Sequence, residues 1–178
     1  QFVLDVKVDN PTNLTRQFYS TFTYNAGALS FGANDGKAQA QVTPNSASGC
    51  EAITATVTVT LGGVGVSSGG AVAVRVPEGW TSPFGVSGTK PPPPGNVVIE
   101  STATAWPADA DVSLNPASFG KSVLGNGWVL IKVRAGAATR FESGREIKLI
   151  YAGFPPNGEQ ARGPQVFETR TQGDGSGQ

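Results

Sequence analysis

The sequence predicts an all-β protein, an antiparallel β-sandwich of the immunoglobulin-like or jelly-roll kind, with about nine or ten strands. Three observations carry this. With 24 Gly and 13 Pro among 178 residues, the chain is interrupted too often for long helices. Across residues 53–61, Ile53, Ala55, Val57, Val59 and Leu61 alternate with Thr54, Thr56, Thr58 and Thr60. Helical geometry does not generate such a period of two. Similar segments recur along the chain, each bounded by Gly, Pro or Asn, and no long stretch carries helical periodicity.

In residues 2–8, Phe2, Leu4, Val6 and Val8 alternate with Val3, Asp5 and Lys7, until Asn10-Pro11 ends the run. Phe18, Phe22 and Tyr24 among Thr21 and Thr23 mark a second strand, and residues 37–43 a third. After 53–61, Val72, Val74 and Val76 define a strand at 71–76. The Gly- and Ser-rich residues 62–70 between the two read as a flexible loop closing a hairpin. Residues 77–95 hold six Pro and four Gly and end in a tetraproline at 91–94, which predicts a long loop with a polyproline II end. Strands are expected again at 96–104, 128–134, 145–151 and 165–171. The whole reads as one domain over residues 1–172, followed by a flexible tail or linker at 173–178.

Composition narrows the function classes. Thirteen basic and thirteen acidic side chains cancel, so no long-range field draws the chain to nucleic acid. No apolar run is long enough to span a membrane as a helix. The sequence contains no Met, which points to a processed mature form or an excised piece of something longer, with signal-peptide removal from a secreted or cell-surface protein the expected event. With no His and one Cys, imidazole general bases, Ser-His-Asp triads, Cys-His pairs and His-based metal sites are unavailable, so no enzyme activity and no cofactor are expected.

Few residues stand out as sites. Cys50 has no partner for an internal bridge, which leaves an intermolecular thiol or a small half-buried side chain. Asp109 with Asp111, Asn34-Asp35-Gly36 and Asp174 place carboxylates that suit turns better than a calcium loop. The single sequon at Asn13 is no more than chance supplies. Trp80 and Phe84 flank Pro83 within the long loop, where aromatic rings are candidates for contact with carbohydrate or a neighbouring domain, or for plugging the end of the sandwich.

The order of several turn-and-strand pieces resembles a known module. These are Gly65-Val66-Ser67-Ser68-Gly69-Gly70-Ala71-Val72, then Val76-Pro77-Glu78-Gly79-Trp80, then Glu142-Ser143-Gly144-Arg145-Glu146-Ile147 leading to Tyr151-Ala152-Gly153, and finally Ala161-Arg162-Gly163-Pro164-Gln165-Val166-Phe167-Glu168. Over about residues 41–170 this resembles immunoglobulin-like modules of large secreted or periplasmic bacterial proteins of unassigned function. In those proteins the catalytic part is similar to metal-dependent phosphoesterases and lies downstream, so the resemblance implies a fold and no activity.

Two functions are expected from these readings. The first is a structural subunit that self-associates into a cell-surface filament or layer, with Phe2, Leu4, Val6 and Val8 completing a neighbour's sheet by N-terminal strand addition. The alternative is an accessory binding or spacer module of a larger secreted enzyme, using Trp80 and Phe84.

Overall fold

The computed structural model describes residues 15–22, 38–44, 46–48, 52–63, 65–119, 122–136, 140–155 and 165–173, with the backbone alone for 15–22, 46–48 and 122. These hold thirteen strands and no helix. In chain order they are β1 (Thr15–Phe22), β2 (Ala38–Thr43), β3 (Ser46–Ser48), β4 (Ile53–Leu61), β5 (Ala71–Arg75), β6 (Gly85–Val86), β7 (Asn96–Ser101), β8 (Ala110–Leu114), β9 (Ser118–Phe119), β10 (Ser122–Val123), β11 (Trp128–Val133), β12 (Glu146–Gly153) and β13 (Gln165–Gln172). Nine span five residues or more, which meets the expected all-β count; the other four are pieces of two or three.

A six-stranded sheet runs β3-β1-β13-β5-β11-β8 and a five-stranded sheet β2-β4-β12-β7-β6, with β9 and β10 forming a small hairpin. Pairing is antiparallel except for β1 with β13 and β6 with β7. Alternation builds the core directly. The odd residues of β4, Ile53 to Leu61, are all buried, while Thr54, Thr56, Thr58 and Thr60 face outward. They meet Ile147, Leu149 and Tyr151 of β12 in their own sheet, and Val72, Val74, Val129, Ile131 and Phe167 from the other. Each such side chain contributes about 1.5–3 kcal/mol when removed from water.

Strands β5 and β11 are apolar at successive positions because both their faces are covered. Ala71, Ala73, Trp128 and Leu130 form a second cluster on the outer face of the six-stranded sheet, beneath Phe119 and Leu124. Register places Arg170 beside this cluster, and its guanidinium lies 4.6 Å from the centre of the Trp128 ring.

Two expectations are corrected. Residues 62–70 do not close a hairpin: β4 belongs to the five-stranded sheet and β5 to the six-stranded one, so the segment crosses between sheets. It is also pinned. Val66 bridges Phe141, Ser67 N–H donates to Gly173 carbonyl at 2.7 Å, and Gly69 N–H donates to Val133 carbonyl at 3.0 Å. Gly65 is required there, since its φ is +81° and a Cβ would lie 2.1 Å from the Phe141 carbonyl oxygen. The tetraproline leads into a turn: Asn96 N–H donates to Pro93 carbonyl, with Gly95 at φ +79° after Pro94. The other correction is Gly173, which is buried and accepts from Ser67, so it is part of the fold rather than of the tail; residues 174–178 lie outside the described residues.

Candidate assembly and contact surfaces

The loop at 77–95 splits its two aromatic residues between inside and outside. Trp80 is only 6% exposed. Its indole N–H donates to Gln165 Oε1 at 2.8 Å, and its ring lies 6.2 Å from that of Tyr151 on β12 and 5.9 Å, edge-on, from that of Phe167 on β13. Trp80 therefore bridges the two sheets at one end of the core and presents no contact surface. This corrects its candidacy as a ligand platform in favour of the plug, because an indole between two apolar sheets gains more from burial than from solvent contact. Tyr151 is fully buried beside it and its hydroxyl donates to Thr81 carbonyl. Burial pushes this hydroxyl well above the ordinary tyrosine range, only partly offset by Thr81.

Phe84 is 69% exposed. Its N–H donates to Gly95 carbonyl at 2.9 Å, and its ring covers Gly95, where a Cβ would collide with it. Phe154, also exposed, follows β12 and takes Thr81 N–H on its carbonyl. Val86 is exposed on β6. The loop is held by a residue that the sequence did not single out, Asn115. At φ +50° its Oδ1 accepts from Ser82 Oγ and from Gly127 N–H, both at 2.8 Å, and its Nδ2 donates to Pro83 carbonyl at 2.6 Å. The Asn-Pro pair at 115–116 was the available signal, since Asn tolerates left-handed backbone.

Of the other candidates, Phe2, Leu4, Val6, Val8 and Cys50 lie outside the described residues, as do Asn13, Asp35 and Asp174. Asp111 lies on strand β8, not in a turn, and pairs with Arg134 at 3.0 Å. No group of three or more His, Cys, Asp or Glu that could hold a metal occurs among the described residues. A cleft of about 360 Å³ beside the exit of β5 is lined by Arg75, Glu78, Gln165 and Glu168 among others. Glu168 is bound to Arg170 at 2.7 Å, so the cleft offers balanced charge and hydrogen bonds. Glu142 accepts Thr104 N–H at 3.1 Å, and Thr104 is the main reason that its carboxyl lies below the usual glutamate value.

The two sheets end in strands whose core-facing rows are incompletely covered. Ala38, Ala40 and Val42 on β2, and Ala110, Val112 and Leu114 on β8, pack against the core but are only partly buried. The hydrogen-bond phase of β8 follows from its ends. Asn115 N–H donates to Trp128 carbonyl and Arg134 N–H to Asp109 carbonyl, both at 2.8 Å. In the alternating antiparallel pattern, Asp111 and Ser113 then bond to β11, and the N–H and C=O groups of Val112 and Leu114 point away from the sheet. Ala110 N–H, on the same side, is taken by Pro107 carbonyl at 3.3 Å.

Comparison of the chain with protein-family models, with curated proteins and with solved structures finds no match.

Proposed function

We propose that this chain is a non-catalytic extracellular structural protein, a β-sandwich subunit that assembles into a cell-surface filament or layer by adding residues 2–8 of one copy to the sheet of the next. The observation that carries this reading is the half-buried apolar row on the edge of each sheet, Ala38, Ala40 and Val42 or Ala110, Val112 and Leu114, which a further alternating strand would cover. Residues 2–8 have that alternation, with Phe2, Leu4, Val6 and Val8 on one face. The absence of net charge adds to it, because copies do not repel one another. Electron microscopy and sedimentation of the intact chain test the reading. Polymers are expected, and a chain carrying Leu4→Asp with Val6→Asp should remain monomeric. An intact chain that is strictly monomeric across concentration, or a double variant that polymerises as well, refutes it.

A second reading, an accessory binding or spacer module of a larger secreted enzyme, draws on two exposed aromatic residues, Phe84 ahead of β6 and Phe154 after β12. Glycan-array binding that is lost on Phe84→Ala supports it; binding unaffected by that change removes the loop's role.

A further inference from the structure

We propose that the acceptor for the added strand is the outer edge of β8, and that its occupant is the 2–8 segment of a second copy. This rests on the strand-addition reading above and specifies its receiving site. The choice among edges follows from what each offers. β3 and β6 are three and two residues long, too short for a specific ladder. On β2 the backbone groups of Ala38, Ala40 and Val42 face outward by the phase of β4, and Ala40 is already engaged. On β8 the N–H and C=O groups of Val112 and Leu114 point outward, and none of the described residues pairs with them.

The occupant follows from pattern and length. A neighbouring strand places its side chains on the same two faces as β8, so Phe2, Leu4, Val6 and Val8 would extend the core-facing row of Ala110, Val112 and Leu114. Seven extended residues span roughly 24 Å against about 17 Å for the five of β8, so the whole edge is covered. A second copy is favoured over the chain's own segment by distance. The place beyond β8 lies five strand spacings from β1, about 24 Å, and residues 9–14 would have to cross it fully extended.

Two measurements test this. In hydrogen exchange on the intact chain, the amides of Val112 and Leu114 should slow by at least about 100-fold on assembly, relative to the Leu4→Asp with Val6→Asp monomer. Polymers in which these two amides exchange as in the monomer overturn the β8 assignment while leaving strand addition standing. Protection of both amides in a monomeric intact chain overturns the second copy as occupant, and with it the self-assembly reading. The second measurement uses Val112→Pro, which removes the outward N–H at an edge position without touching the β11 ladder. That variant should donate but not accept, and the Asp double variant should accept but not donate. Each alone is expected to be monomeric, and an equimolar mixture to give a one-to-one dimer. Val112→Pro polymers indistinguishable from those of the intact chain would overturn the proposal.

Discussion

Replacing Trp80 with alanine measures how much of the fold depends on the loop that closes one end of the core. At 6% exposure nearly all of the indole is removed from water. A side chain of about 200 Å² buried at roughly 25 cal/mol per Å² gives an upper bound of about 5 kcal/mol. Core Trp→Ala changes cost about 3–5 kcal/mol, a range that already contains much of the ring packing against Tyr151 and Phe167 and of the bond to Gln165. The expected loss is about 4 kcal/mol, or roughly 8–16 °C in Tm for a chain of this size. Phe84→Ala is the internal control. With 69% of the residue exposed, about a third of its ring is covered, and the same arithmetic gives at most about 1.5 kcal/mol. Urea titration followed by far-UV circular dichroism, with calorimetry in parallel, reads both. Equal losses for the two variants, or a Trp80→Ala loss below about 1.5 kcal/mol, would refute the inside-outside division of the loop.

Tyr151 makes stability depend on alkaline pH. Its folded pKa is raised, so the stabilisation is complete below the unfolded value of about 10 and is lost as pH rises above it. Tyr151→Phe should cost about 1 kcal/mol at neutral pH and flatten the fall in urea midpoint between about pH 9 and 11; an unchanged alkaline slope would contradict the burial. Gly65→Ala and Gly136→Ala both place a side chain at φ near +80°, but only Gly65 meets a neighbour, so thermal melts should show about 1 kcal/mol for Gly136 and clearly more for Gly65. Asn115→Ala removes two bonds to the loop, at Ser82 and Pro83, and one to Gly127 ahead of β11, a loss of about 2–3 kcal/mol, with faster exchange at Gly127, whose N–H bonds to Asn115 Oδ1. In an NMR titration the Glu142 carboxyl should protonate below 4.5, so its small contribution is present above that value and lost as pH falls through the folded pKa.

The strands that were legible in the sequence are those whose covered faces obey one rule along their whole length. β4 declares itself by Thr alternation, and β11 by four successive apolar residues, Trp128 to Ile131. β8 escaped because Ala110, Asp111, Val112, Ser113 and Leu114 alternate over only five residues, and because Asp-rich segments also suit turns. The partner of each strand was less legible still. Residues 62–70 have the Gly content of a hairpin loop, yet the same freedom lets the chain cross between sheets, and only contacts with Phe141, Val133 and Gly173 decide between the two. Trp80 was ambiguous for a similar reason: a loop aromatic residue reads alike in sequence whether Gln165 and Phe167 receive it or solvent does.

The short length of β8 also decides where the specificity of assembly lies. Val112 and Leu114 offer two N–H and two C=O groups, the Ala110 carbonyl being taken by Arg134 Nη2, so the new ladder contributes about 4 kcal/mol net at roughly 1 kcal/mol per bond. Association costs about 4–15 kcal/mol in lost freedom, so the ladder alone holds no filament together. Four apolar side chains buried at about 1.5–3 kcal/mol each add roughly 6–12 kcal/mol, and only a strand with Phe2, Leu4, Val6 and Val8 on one face supplies them. An edge of this kind rejects strands at random and accepts one whose alternation matches, because the backbone groups set the position while the side-chain row sets the affinity. Two aspartates in that row remove about half of the apolar gain and add buried charge, which is why Leu4→Asp with Val6→Asp should abolish assembly rather than weaken it.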